Sequence, residues 1–357
     1  MMRETKEHVT EWMTSPDSGF LIGAGCSKCA GKPLIGELTD RVLAKVDGTI
    51  KTEFNELKST GSRSPTIEDL INYLVRYQSI LKTVQDTSKH HLQPDWIKQS
   101  LDSIKKEIVE QITDSWAESQ VHARFLQRIG GTRSDLGRDV FTLNYDTVIE
   151  ATLDHLMLHY VDGFRGSRNG WFDPTVFDEK PISNLSFRIY KLHGSINWRR
   201  EKTGHVRRIE ASHMLVGDDP VVVYPSEQKY VQTQFGVYET LIGRFRDRLR
   251  ESGVNNRLIA LGYSFNDEHI NEAIIDAVCS SGSNLTVIAL VGLDPDASAQ
   301  KLKLEEFASR CNQRFNAYVG DSFYVGNALD DADAKNLLKE NLWNFESLVN
   351  YIAGAAA

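Results

Sequence analysis

Four short segments set glycine beside residues that can donate, accept or relocate a proton, and each directly follows an apolar run. Gly23-Ala24-Gly25-Cys26-Ser27 comes after Phe20-Leu21-Ile22. Two glycines one residue apart let a backbone approach a ligand closely, and the free N–H groups opening the next helix suit a diphosphate. The same spacing also serves a plain tight β–α turn, since the third glycine of the dinucleotide fingerprint is missing. Thr142-Leu143-Asn144-Tyr145-Asp146-Thr147 ends the next strand. Thr147 with Glu150 reads as a T-x-x-E capping box, which leaves Asn144 and Asp146 without a capping duty. Lys191-Leu192-His193-Gly194-Ser195 places an imidazole, the side chain suited to proton transfer near neutrality, next to a glycine. Gly262-Tyr263-Ser264-Phe265-Asn266-Asp267 adds two hydrogen-bonding groups, Ser264 and Asn266, with Asn266 also fit to cap a helix opening at Asp267. All four sit where strands end, the edge at which α/β proteins bind ligands.

Other polar clusters read as structure. His155 and His159 have metal-compatible spacing on the helix expected after Asp146, but no H-E-x-x-H glutamate, so packing or surface roles are expected. Cys26-x-x-Cys29 has no second pair, since the other cysteines are Cys279 and Cys311. No metal centre or redox pair is expected from them. Arg199, Arg200, Lys202, Arg207 and Arg208 gather around Gly204 and predict a solvated basic hairpin. Arg244, Arg246, Arg248 and Arg250 split between two faces of a helix and receive no function.

The elements that must position these residues alternate. Strands are expected at Gly19–Ile22, Asp139–Leu143, Arg188–Leu192, Val221–Tyr224, Arg257–Leu261 and Leu285–Val291. Several are continuous apolar runs, the pattern of strands covered on both faces. Helices are expected at Leu34–Val46, Val148–Tyr160, Gln232–Arg250, Glu268–Ser280 and Ala297–Arg310. This alternation predicts an α/β fold, a Rossmann-like doubly wound, mainly parallel sheet. From about Thr52 to Arg128 the sequence reads as successive helices, one of them starting at Ser64-Pro65. The expected division is 1–50 and 137–330 for the Rossmann-like part, 51–136 for a helical insertion leaving through Gly130–Ser134, and 331–357 for a closing helix, about Ala332 to Ile352.

Composition narrows the function classes. The 357 residues are 41% hydrophobic and 25% charged, an ordinary globular balance. Forty-one basic against 49 acidic residues give a net charge of −8, which argues against coating nucleic acid by bulk electrostatics. The four cysteines are too few for a disulfide scaffold. Apolar runs are too short to span a bilayer, and the first residues lack a signal-peptide core, so a cytoplasmic protein without membrane contact is expected.

In order and spelling, the four segments resemble the sirtuin family, whose members carry a G-A-G-x-S loop, a T-Q-N-x-D strand end, a catalytic His-Gly and a later G-T-S loop. The variant spellings are most similar to the sirtuin-like branch of bacterial antiphage defence, whose members hydrolyse NAD. The resemblance covers about residues 15–45 and 137–325. It departs at Leu143, where the family has Gln, and at Pro33–Leu38, where the family has an Asp-Phe-Arg stretch. No cysteine lies between His193 and Gly262, so the family's four-cysteine zinc ribbon is missing and no zinc is expected.

The resemblance implies NAD glycohydrolase activity with NAD as substrate. Asn144 and His193 are the implied catalytic residues. Gly23, Ala24, Gly25 and Ser27 are implied to hold the diphosphate, Asp146 the nicotinamide amide, and Gly262, Ser264 and Asn266 the ribose side. An NAD-dependent protein deacylase and a non-catalytic NAD or ADP-ribose sensor are the alternatives. A homo-oligomer is expected, with a HerA-type ATPase as candidate partner and nucleic acid touched only weakly or indirectly.

Overall fold

A computed structural model describes residues 2–60, 64–81, 93–113, 119–130, 137–167, 169–180, 186–201, 203–209, 219–222, 236–251, 256–294 and 296–354. Among them the strands are β1 (Ser18–Ile22), β2 (Arg138–Thr142), β3 (His159–Val161), β4 (Phe164–Arg165), β5 (Asn169–Phe172), β6 (Ser186–Lys191), β7 (Gly194–Arg200), β8 (Val206–Ile209), β9 (Asp219–Val222), β10 (Arg257–Leu261), β11 (Thr286–Val291), β12 (Phe315–Val319) and β13 (Phe323–Val325). The larger sheet runs β13-β12-β11-β10-β1-β2-β6-β3 and is parallel except for β13. Its six inner strands, taken in chain order, lie 6-5-4-1-2-3. That is the doubly wound order of a Rossmann-type fold, with its topological switch point between β1 and β10.

The apolar runs explain the layering. In β1, Leu21 faces one side with Phe141, Leu258 and Ala289, under the helices Val237–Leu249, Glu268–Cys279 and Ala297–Arg310. Phe20 and Ile22 face the other side with Val140, Ile259 and Ile288. There the cover is Met2–Thr14, Gln120–Gly130, Val148–His155, Asp331–Lys339 and Phe345–Ala353. Each large side chain buried this way contributes roughly 1.5–3 kcal/mol. At the amino edge, Asp139 accepts from Arg188 Nε at 2.6 Å and from the buried Arg248 Nε at 3.1 Å, tying β2, β6 and the helix Val237–Leu249 together. Arg248 is therefore a buried clamp, and Arg244 pairs with Asp178 at 2.6 Å.

A third apolar cluster joins the helices Ile35–Lys45, Gly48–Thr60, Ile67–Leu81 and Pro94–Thr113, and it includes Ile196 of β7. The helix at Ile67 opens with Thr66 rather than Ser64. Asp69 N donates to Thr66 Oγ1, and Thr66 N donates to Asp69 Oδ2 at 2.7 Å, a reciprocal cap at i, i+3. The expected exit hinge 130–134 lies outside the described residues except for Gly130.

Several expectations are corrected. The strand expected at Val221–Tyr224 is Asp219–Val222 within the described residues, and it belongs to a second, antiparallel sheet, β4-β5-β8-β7-β9. The helix expected to reach Tyr160 stops at His155. Met157 turns left-handed (φ 55°), and the chain re-enters the sheet as β3. His155 and His159 therefore share no helix face. The closing helix is two, broken at Asn341 (φ 53°), with the Asn344 side chain accepting from Ser347 N at 3.1 Å to start the second. The basic hairpin is real: β7 and β8 pair antiparallel across Gly204, with Arg207 on Glu201 and Arg208 on Asp162, while Lys202 lies outside the described residues. Among the described residues no helix is long and apolar enough to cross a membrane.

Candidate functional site

The four motifs end β1, β2, β6 and β10, neighbours at the carboxyl edge of the larger sheet. The glycines have a specific reason. A Cβ on Gly23 would lie 2.4 Å from the Gly262 carbonyl oxygen, one on Gly25 2.8 Å from Gly262 Cα, and one on Gly262 2.6 Å from the Cys26 nitrogen. The loops after β1 and β10 therefore touch backbone to backbone across the switch point. Gly23 N donates to Leu261 O and Gly25 N to Gly262 O, at 2.9 and 3.0 Å. The glycines hold two loops together, and Ala24 is left exposed between them.

Asn144, buried after β2, reaches into this junction. Its Nδ2 donates to Gly23 O at 3.1 Å and to Ser27 Oγ at 2.9 Å. The capping box expected at Thr147 and Glu150 does not form. Thr147 makes no side-chain cap, and Asp146 Oδ1 accepts from Val148 N at 3.0 Å instead. Glu150 turns inward to Lys191 Nζ at 3.0 Å, and Lys191 also donates to the Asp146 carbonyl. Burial pushes the Glu150 carboxyl up, and the Lys191 ammonium opposes that shift.

His193 occupies the turn between β6 and β7, with Gly194 left-handed beside it (φ 83°). His193 is 3% exposed. Its Nε2 lies 3.8 Å from Asp267 Oδ1, and its ring centroid is 5.4 Å from that of His269 and 6.4 Å from that of Tyr145. The Tyr145 hydroxyl donates to Glu68 at 3.4 Å, connecting the β2 loop to the helix Ile67–Leu81.

The β10 loop is held in an uncommon shape. Phe265 is left-handed (φ 58°) yet fully buried, against Tyr263, Phe307 and Phe315. A bulky residue there costs on the order of 1–3 kcal/mol, met by aromatic packing and by Asn271 Nδ2 donating to Phe265 O at 2.8 Å. Around this bend Ser264 is half-buried and Asn266 exposed. Asn266 donates to Ser264 Oγ at 3.0 Å and accepts from Lys303 Nζ at 2.6 Å. The helix is capped by neither Asn266 nor a side chain of Asp267; Asp267 holds the N-cap position without a capping bond.

The structure thus brings Asn144, Ser27, Gly23, Gly25 and Gly262 into direct contact, with Asp146 and His193 on the neighbouring strand ends. Sequence reasoning missed Asp267 and His269 as companions of His193. The signal was their D-x-H spacing directly after the fourth motif. Burial pushes the Cys26 thiol well up and raises Cys29, whose Sγ donates to Cys26 O at 3.2 Å.

No curated protein sequence matches this chain. Similar solved structures include a Sir2 homologue mutant with ADP-ribose (12% identity, TM-score 0.39, covering 86% of this chain and 96% of that one). Another is a Sir2 homologue–NAD complex (12%, 0.40, 86% and 94%). A third is a structure on sirtuin substrate affinity (11%, 0.35, 86% and 98%). Residues 138–313, from β2 to the turn before β12, match the family model of the SIR2-like domain.

Proposed function

We propose that this chain hydrolyses NAD at the nicotinamide–ribose bond, releasing nicotinamide and ADP-ribose. The observation that carries the reading is the contact of the Asn144 carboxamide with the glycine loop at the switch point, one strand from His193. The SIR2-like match over residues 138–313 supports it.

In this reading the dinucleotide lies across the carboxyl edge. Ala24 and Ser27 face its diphosphate, and Gly23, Gly25 and Gly262 keep the two loops close enough to receive it. Ser264 and Asn266 take the ribose hydroxyls. The glycosidic bond breaks with its electron pair leaving on nicotinamide, and the ribose carbon becomes oxocarbenium-like. Asn144 orients a water toward that carbon. His193 accepts the proton this water loses, a step general bases accelerate about 10²–10⁴-fold. Asp146, anchored through Oδ1, holds the nicotinamide amide with its other oxygen.

The test is incubation of the pure chain with NAD and chromatography of the products. Equimolar nicotinamide and ADP-ribose are expected. NAD affinity without turnover would make the chain a sensor, and turnover only with an acylated lysine peptide would make it a deacylase. The proposal extends to an effector role in antiphage defence by NAD depletion, held in check by self-association or by a HerA-type ATPase. Motif resemblance supports that extension, and sedimentation with a turnover assay tests it. A monomer at full speed alone overturns the control.

A further inference from the structure

We infer that His193, Asp267 and His269 form a binding site for a divalent transition-metal ion of the zinc class, and that the ion switches off the proposed hydrolase. One ligand atom from each residue lies within 4.8 Å of the other two. A tetrahedral zinc ion with bonds of about 2.0–2.1 Å spaces its ligand atoms about 3.4 Å apart. The 3.8 Å between His193 Nε2 and Asp267 Oδ1 is already near that value, and with all three ligand atoms within 4.8 Å of one another no pair has to close by more than about 1.4 Å.

The donors choose the ion. Two imidazoles and one carboxylate suit Zn²⁺, Co²⁺ and their neighbours, whereas Mg²⁺ and Ca²⁺ prefer sites built wholly of oxygen. Three protein ligands leave a fourth position for water, the open pattern that distinguishes such a site from a closed four-ligand structural one. The ligands also stand on fixed supports. His193 is held in the turn between β6 and β7. Asp267 and His269 open the helix Glu268–Cys279, whose start is tied down by the Tyr263 hydroxyl donating to Asp267 O and by Asn271 N donating to the same carbonyl. His193 is buried while Asp267 and His269 are half-exposed, so an ion has a way in.

The consequence rests on the hydrolase reading. A metal-bound imidazole has given one lone pair to the ion, and its other nitrogen carries the proton. Neither nitrogen of His193 can then accept a proton from water. The ion occupies the base that hydrolysis requires.

The experiment uses the full, metal-stripped chain. Co²⁺ alone is titrated in and followed by its visible absorption, and Zn²⁺ alone is measured by equilibrium dialysis with elemental analysis. One ion per chain is expected, with affinity at least tenfold weaker in His269→Ala and in Asp267→Asn, both checked for folding by circular dichroism. Saturating Zn²⁺ is expected to lower NAD turnover at least tenfold in the wild type and to leave His269→Ala much less inhibited. Zn²⁺ bound equally by folded variants and wild type, or not bound by the wild type, overturns the site. A chain that binds Zn²⁺ but never cleaves NAD overturns the hydrolase reading and leaves the metal site standing. A chain that cleaves NAD equally well with the site filled overturns the switch.

Discussion

Asn144 Nδ2 donates to Ser27 Oγ at 2.9 Å, joining two strand ends 117 residues apart in the chain. With the second bond to Gly23 O, this makes Asn144 both a part of the proposed chemistry and the latch of the glycine loop. Asn144→Ala should abolish NAD cleavage, a loss of more than about 10²-fold, and lower stability by about 1–3 kcal/mol through the buried acceptors it leaves. His193→Ala should remove cleavage by about 10²–10⁴-fold, the worth of a general base. Turnover assays beside urea unfolding separate the two effects. Full turnover by a folded His193→Ala chain removes the histidine from the mechanism.

Two glycines of the switch point, Gly25 and Gly262, predict a graded pair. Gly262→Ala meets both a left-handed backbone (φ 61°) and a Cβ 2.6 Å from the Cys26 nitrogen, whereas Gly25→Ala meets only the close approach, at 2.8 Å from Gly262 Cα. Gly262→Ala should cost more stability than Gly25→Ala, and both should weaken NAD binding by parting the loops. Gly36→Ala is the control. Nothing lies within 4 Å of its added Cβ, and it sits in the helix Ile35–Lys45, so it should be neutral or gain about 0.5 kcal/mol. Thermal melts with NAD titrations check the order, and a Gly262→Ala chain as stable as the Gly36→Ala one would falsify the contact.

Much of this site was legible because burial leaves marks on composition. Continuous apolar runs announced strands covered on both faces, and Gly, Asn and His at their ends marked the ligand edge. What stayed hidden depends on partners far along the chain. The purpose of Gly25 is visible only beside Gly262, and the burial of Arg248 only beside Asp139 and Asn256. Thr147 and Glu150 matched a local capping pattern, yet a buried lysine 41 positions beyond Glu150 captured the carboxylate. The helix expected through Tyr160 failed because Met157 turns left-handed without any Gly or Asn to signal it. The break in the closing helix was signalled by Asn341 and Asn344, residues suited to a left-handed turn and an N-cap.

The Lys191–Glu150 pair predicts an asymmetry between single and double variants. Lys191 is 1% exposed and Glu150 8%. Lys191→Met leaves a buried carboxylate without its cation and the Asp146 carbonyl without its donor, and should cost about 3–5 kcal/mol. Lys191→Met with Glu150→Leu removes the stranded charge and should cost less than Lys191→Met alone. Urea unfolding of both chains decides. A double variant less stable than the single one would show that the pair contributes through something other than mutual charge.

His122 predicts the acid side of the stability profile. It is 1% exposed, its Nδ1 lies 2.7 Å from Ser119 Oγ, and its ring packs 4.9 Å from Phe345. Burial lowers its pKa from 6.5 to about 4, with the Asp146 carboxylate pulling weakly the other way. The folded chain therefore keeps the ring neutral where the unfolded chain takes up a proton. Stability from this residue is fully present above pH 6.5 and is lost as the pH falls toward about 4. By pH 4.5 the loss should reach about 2–3 kcal/mol. His122→Gln has no proton to gain and should flatten that part of the profile, although its stability at pH 7 will be lower from disturbed packing. The comparison is the change in urea midpoint between pH 7 and pH 4.5 in each chain. Equal slopes would mean that His122 is protonated in the folded chain and that the acid sensitivity arises elsewhere.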